Sequence, residues 1–598
     1  MPRRFVTRLS SLAGNHNFQF STFTFQLNYM DRRDFLKRAA AVSGAVIVGS
    51  KSADVFGEAF DLQGKDSQLW RTLGDVFLPN VVEVETDDEV FTMKYDQGVF
   101  SSGDIVVKYR QKHNVVYTSL NSETKNVKYV RMIWNQPLQP TVRILGDHWE
   151  RGYGDLQWQT PNARRIMPWY FVEYDGSRCH AMGVKTGCKA FCHWKRDTET
   201  MTLVLDVRNG THGVRLGKRT LKMAELISMD GRTGESPFDF MKRFCRMLCD
   251  SPRLPKKPIY GINDWYFAYG DNSDKLILQT VDMMQDMIPD VGNLPFCVID
   301  AGWACYAPGS NSAASWSDNF YTPNNKFPDM HRLASQIRSK RMRPGLWMRP
   351  LCAAHDTRES LRMMNKNGNG RSNILDPTID ENLAYLTKCF KAYRNWGYEM
   401  VKHDYSTCDI FGKWGFSMLS DGDMTYGNWS FNDRSVTNAE VVLRLYTHLR
   451  KAAGKIMLIG CNTVSHLSAG LFEIQRTGDD TSGREWSRTL KMGVNTIAFR
   501  MPQHNNFYVS DPDCVGLTKD VAWRLNKQWM ELIANSGTAL FISAQPEALG
   551  AEQRATIKQC FQIAATNTIT GEPLDWMTNI TPSKWKLRGA YREFDWKE

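Results

Sequence analysis

Two short segments of this 598-residue chain carry the residue types from which a reaction centre can be built. They are Met400-Val401-Lys402-His403-Asp404 and, further along, Arg476-Thr477-Gly478-Asp479-Asp480. Each closes an apolar run with a basic residue and then a carboxylate. Two carboxylates delivered from different strand ends, each with a cation nearby, suit a two-step displacement at the anomeric carbon of a sugar. One attacks the carbon and the other shuttles a proton. In the two-residue period of a strand, Lys402 and Asp404 share a face and His403 points the other way. Lys402 is therefore expected to neighbour Asp404, keep it ionised and donate to a sugar hydroxyl. The plainer reading of Lys-x-Asp is a buried ion pair at a strand end.

The elements that must position these segments are legible from pattern. After the prolines Pro252, Pro255 and Pro258, short apolar runs alternate with amphipathic helices, which implies parallel β/α units. Strands are expected near Ile259–Asn263, Phe296–Ile299, Gly345–Met348, Met400–Lys402, Ile456–Ile459, Phe472–Gln475, Thr496–Phe499 and Ala539–Ile542. Between the third and fourth, Leu383, Leu386, Phe390 and Tyr393 line one face of a helix that Gly397 stops. Eight such units over residues 258–545 predict a (β/α)8 TIM barrel, a fold of about 250 residues whose active sites sit at the strand C-terminal ends. The two acidic segments fall at such ends, after the fourth and sixth strands.

Residues 58–235 read as an all-β sandwich. Val82-Glu83-Val84-Glu85 alternates, Leu203–Val207 is an apolar run, and Asn209-Gly210 is a turn signal. Ser236-Pro237 then caps a helix carrying Phe240, Phe244, Met247 and Leu248, so 236–257 form a helix and linker. Residues 546–598 hold one helix and a tail rich in aromatic residues, too little for a full β domain. The fold class is thus α/β, a barrel preceded by a sandwich.

Composition is that of a globular protein, with 42% hydrophobic and 23% charged residues. The net charge of +11 is concentrated at the N-terminus: residues 1–53 carry eight Lys/Arg against two Asp, leaving only +5 for the rest. No Lys/Arg run tracks a nucleic-acid backbone, so no nucleic-acid partner is expected. Arg32-Arg33 before Phe35-Leu36-Lys37 and the modestly apolar 39–49 resemble a twin-arginine export signal, with Met30 as a candidate start. Residues 1–57 are read as that extension. Its apolar stretch is too short to span a bilayer, so no integral membrane span is expected there. The thirteen Cys include Cys188/Cys192 and Cys245/Cys249, but no partner set at zinc spacing; most read as small buried hydrophobes.

From Tyr260 to Ala544, and more loosely over Tyr153-Gly154-Asp155-Leu156-Gln157-Trp158, the chain resembles the melibiase-like α-galactosidase superfamily of retaining glycoside hydrolases. The motifs are Gly261-Ile262-Asn263-Asp264-Trp265-Tyr266, Val298-Ile299-Asp300-Ala301-Gly302-Trp303, Lys326-Phe327-Pro328 with Pro344-Gly345-Leu346-Trp347, Trp396-Gly397-Tyr398 leading to Lys402-His403-Asp404, Arg476-x-x-x-Asp480, and Asp511-Pro512-Asp513. The resemblance implies Asp404 as nucleophile and Asp480 as acid and then base, with Asp479 the adjacent competitor. It implies sugar contacts from Trp265, Asp300, Lys402 and Arg476, and from Cys461-Asn462 as readers of the second sugar carbon or as structural groups. It implies an oligosaccharide or glycoconjugate substrate and no metal or organic cofactor. Trp303 and Trp347 read as barrel packing, His355 and His466 as surface histidines, and Asp511 as a loop cap.

One position departs from the family pattern. Asp300-Ala301 stands where galactose-specific members carry two adjacent Asp, which leaves the sugar open among an altered α-galactoside, a pentopyranoside and an N-acetylated sugar. A galactosyl-transferring enzyme of the raffinose-synthase kind and a non-catalytic carbohydrate-binding protein are the rival readings.

Overall fold

The computed structural model describes residues 77–306 and 317–598. The Arg32-Arg33 pair, Met30 and the rest of 1–57 lie outside the described residues. Two antiparallel sheets, of six and eight strands, form the N-terminal sandwich. The expected alternation holds in Val81–Thr86, where Val82 and Val84 face the core while Glu83 and Glu85 face out. The run at 203–207 lies mostly in the strand Thr200–Asp206, paired with Val127–Asn135. The helix Pro237–Leu248 follows, its Ser236 side chain accepting from the Asp239 N–H, and buries Phe240, Phe244 and Leu248.

Beyond it, one parallel sheet runs through Tyr260–Asn263, Phe296–Ile299, Arg343–Met348, Met400–His403, Met457–Gly460 and Ile474–Arg476. It closes through Val509–Asp511, Cys514–Leu517 and Leu540–Ala544. The first part of the closing strand pairs with Ile474–Arg476 and the second with Leu540–Ala544. The barrel's seventh strand is therefore one chain segment broken at Pro512-Asp513, where Asp513 takes φ 75°.

The seventh strand expected at Thr496–Phe499 is corrected by this arrangement: Thr496–Arg500 is helical. Ile497, Ala498 and Phe499 are all buried, and a short apolar run buried all round has the same pattern in a helix as in a strand. The helix Asp380–Trp396 ends at Gly397 with φ 88°, as its sequence implies. Between the fifth and sixth strands there is only the one-turn helix Ser465–Ser468, and there the sandwich packs in its place. His466 is buried, stacked on Trp169 at 4.8 Å and bonded through Nε2 to the Val184 carbonyl, so it is not a surface residue. The tail forms a small sheet of Glu572–Pro573, Lys584–Leu587 and Ala590–Glu593. Among the described residues no helix is long and apolar enough to cross a membrane, and every cysteine whose side chain is described is unbridged.

Sandwich and barrel are locked together by buried charge. Arg500 donates to Asp147 at 2.8 Å and to the Glu150 carbonyl at 2.6 Å, and Gln503 donates to the other Asp147 oxygen at 2.7 Å. Arg500 and Asp147 are both almost fully buried. Asp147→Ala strands the guanidinium without its counter-charge and is expected to destabilise the protein by about 3–5 kcal/mol. A denaturant midpoint unchanged from wild type would contradict the role given to this pair.

Candidate active site

Barrel parity assembles the site. Phe296, Val298, Met400, Ile459, Ile474, Val509 and Phe541 fill the barrel interior. Two residues further along the same inward faces come Asp300, Lys402, Cys461, Arg476, Asp511 and Ser543. The sequence thus stacks an apolar plug beneath a polar layer at the strand C-terminal ends, and Asp404 stands one step above Lys402.

The polar layer is highly connected. Asp300 Oδ2 accepts from Lys402 Nζ at 2.7 Å and from Asn263 at 2.7 Å, and its Oδ1 accepts from the Ala301 N–H at 2.8 Å. Burial alone would lower the Lys402 ammonium, but Asp300 holds it well above its ordinary range. This corrects the expectation that Lys402 pairs with Asp404. Asp300 lies in the same barrel layer as Lys402, so the ammonium reaches sideways to it. Asp404 is oriented instead by the Tyr405 backbone N–H at 2.8 Å and the Trp347 indole N–H at 3.1 Å. Trp347 is therefore more than packing, whereas Trp303 is fully buried and donates to the Trp347 carbonyl.

Arg476 sits at the centre of the sixth-strand end. It reaches Asp480 at 3.1 Å, Asp513 at 2.9 Å and Cys461 Sγ at 3.2 Å. One oxygen of Asp513 accepts from Arg476, from the Thr481 N–H at 2.8 Å, from the Thr481 hydroxyl at 3.0 Å and from the Tyr266 hydroxyl. Asp513 thereby fixes both the arginine beside Asp480 and the residue after it. Asp511 accepts from the Asp513 N–H at 2.9 Å, the loop-capping role expected for it. Its carboxyl is pushed up to about 6, chiefly by burial.

Asp479 and Asp480 differ in their surroundings. Asp479 is bracketed by Arg151 at 2.5 Å and Arg488 at 2.9 Å, with 19% of its side chain exposed. Asp480 has 42% of its side chain exposed and a longer 3.9 Å contact to Arg151. Burial pushes the Asp480 carboxyl up, but Arg476 and then Arg151, Lys402 and Arg488 outweigh it and hold it well below the usual carboxylate range.

Of the other expected contacts, Trp265 is half-buried at the mouth, its ring 5.5 Å from Tyr269. Cys461 is fully buried beneath Arg476 and Arg151. Asn462 is fully buried, with its amide oxygen taken by the Cys408 N–H and its amide nitrogen by Glu150. Its place is structural: it ties the loop after the fifth strand to the helix Ser406–Phe411 and to the sandwich. His403 is buried against Tyr446 and Phe472, and burial holds its imidazole down to about 3.

Sequence reasoning missed Arg151 and Glu150, which a sandwich loop delivers to the barrel. Gly152 bridges the chain at Gly478 through the Gly152 N–H to Thr477 carbonyl bond (2.8 Å) and the Asp479 N–H to Gly152 carbonyl bond (3.1 Å). Glu150 accepts from Asn462, Tyr153 and the Gly415 N–H. The adjoining Tyr153–Trp158 motif was the available signal for this loop. An aromatic wall of Trp347, Tyr405 and Trp414 completes the mouth, with Arg151 over the Trp414 ring at 5.5 Å.

This architecture can be set beside known structures. An α-galactosidase from Thermus thermophilus in complex with p-nitrophenyl α-D-galactopyranoside superposes with TM-score 0.56 at 16% identity, covering 86% of this chain and 98% of that one. The chain shares the fold of that enzyme. A GH36 α-galactosidase variant from Geobacillus stearothermophilus in complex with 1-deoxygalactonojirimycin gives TM-score 0.51 at 12% identity, over 79% of this chain and 69% of that one. A GH31 family sulfoquinovosidase from E. rectale gives TM-score 0.53 at 10% identity, over 87% of each chain. No protein-family model matches the chain. The fold shared with these glycosidases agrees with the barrel and sandwich read from sequence.

Proposed function

We propose that this protein is an exported retaining glycoside hydrolase, α-galactosidase-like, that removes a terminal α-linked galactose or a related sugar through a covalent glycosyl-Asp intermediate. The observation that carries the reading is the pair of half-buried carboxylates, Asp404 and Asp480, above a polar layer whose other acids are already engaged. Asp404, oriented by Trp347 and Tyr405, attacks the anomeric carbon. Asp480 first donates a proton to the leaving oxygen and then takes one from water. Its exposure favours it over Asp479, which two arginines hold. Lys402, with 11% of its side chain exposed, binds sugar hydroxyls in this reading, and the half-buried Trp265 offers its ring to a sugar face. Arg476, Cys461 and Asp300 act mainly by holding these groups. A fluorosugar that slows deglycosylation is expected to label the peptide bearing Asp404. A label on Asp480, or none with every fluorosugar tried, would sink the assignment.

The charge around Asp480 has a kinetic consequence. A general acid works only while protonated, so the falling alkaline limb of kcat/KM reports its pKa in the free enzyme. With Arg476 and Arg151 holding that pKa down, the limb lies at lower pH than a carboxyl without those cations would give. Arg151→Leu removes a cation beside Asp480 and uncovers the charge of Asp479. Both effects raise the Asp480 pKa, so the limb moves to higher pH; a limb that stays or moves lower would refute this.

Export rests on Arg32-Arg33 and the apolar stretch that follows. The double substitution Arg32→Lys/Arg33→Lys is expected to leave the protein inside the cell, and undiminished export would overturn that part.

A further inference from the structure

A groove of about 550 Å³ lies on the outer face of the eight-stranded sandwich sheet, away from the candidate active site. Strand alternation builds it. In Ile105–Lys112, Ile105, Val107 and Tyr109 point into the core, so Lys108 and Arg110 point out. Register places Arg110 and Glu225 on either side of Tyr117, and Lys108 and Lys222 on either side of Ser119. Tyr117 is 43% exposed at the centre of this floor. Among the described residues, Lys108, Arg110 and Lys222 have no acidic side chain within ion-pair distance. Lys185 forms one wall, paired with Asp250 and, at 3.8 Å, with Glu225.

We propose that this groove is an accessory binding site for an acidic saccharide chain, one bearing carboxylate or sulfate groups. The unpaired cations meet the anions, and the Tyr117 ring offers an apolar face to a sugar ring. Glu225 and Asp250, both well exposed, accept hydrogen bonds from sugar hydroxyls. A saccharide chain offers these two carboxylates many hydroxyl donors, which a DNA backbone lacks, and this argues for a saccharide over a nucleic acid. The proposal goes beyond the glycosidase reading and does not depend on it.

The test is calorimetric titration of the full chain at low salt with an oligogalacturonate, a heparin-derived oligosaccharide, a methyl-esterified oligogalacturonate and an oligodeoxythymidylate. Binding is expected for at least one acidic saccharide and not for the esterified one; which acidic probe binds distinguishes carboxylate from sulfate. The triple variant Lys108→Ser/Arg110→Ser/Lys222→Ser is expected to bind at least about tenfold more weakly, while Asp404→Ala binds as wild type. Tyr117→Ala is expected to weaken binding about fivefold, and it carries the test should the triple variant fail to fold. No binding of either acidic saccharide, binding unaffected by these substitutions, or tighter binding of the oligodeoxythymidylate would overturn the site.

Discussion

Asp404→Ala is expected to lower turnover of any glycoside the protein cleaves by about 10⁴-fold or more, because it removes the group that bonds to the anomeric carbon. The fold is expected to survive, since the Trp347 indole and the Tyr405 N–H are left beside a half-open cavity that water can fill. Azide can occupy that cavity and attack the sugar directly. A single displacement then replaces the double one, and the glycosyl azide formed from an activated substrate has inverted configuration. Product of retained configuration from this variant would place the nucleophile elsewhere.

The second large effect separates two neighbouring carboxylates. Asp480→Ala is expected to lower kcat about 10²–10⁴-fold on substrates with poor leaving groups, the usual contribution of general acid–base catalysis. The loss shrinks for an aryl leaving group that departs unprotonated. Azide restores turnover by intercepting the glycosyl-enzyme, giving a product of retained configuration. Asp479→Ala behaves differently: it frees Arg151 and Arg488 from their 2.5 Å and 2.9 Å contacts. Its effect is a changed pH profile, with no rescue by azide. Azide rescue of Asp479→Ala, with Asp480→Ala still active, would reverse the two roles.

What the sequence could reveal followed from how far each signal extends along the chain. The sandwich, most barrel strands, the capped helix after Ser236 and the stop at Gly397 are local patterns with local causes. Asp404 and Asp480 were legible as candidates because strand ends are where a barrel displays its chemistry. The seventh strand was misplaced because the buried run Thr496–Arg500 is continuous, whereas the true strand comes as two short pieces, Val509–Asp511 and Cys514–Leu517, broken at Pro512-Asp513. Lys402 was assigned the wrong partner because strand period tells which face a side chain takes, and not which neighbour across the barrel it reaches. Arg151 and Glu150 were invisible for a related reason: their partners Asp479 and Asn462 lie hundreds of residues away, on another layer of the fold. Ala301 stands out in the sequence and in the structure alike. It is buried, and its N–H donates to Asp300.

The most direct measurement is hydrolysis of a panel of aryl α- and β-glycosides by the wild-type protein, with Asp404→Ala as the control. Release from an α-glycoside is expected, and it is expected to disappear in the variant. Release from an α-galactoside would make Ala301 a tolerated change, whereas release from another α-glycoside alone would make it the mark of altered specificity. Release that persists in Asp404→Ala, or no release from any member of the panel, would contradict the central claim that Asp404 forms a glycosyl-enzyme.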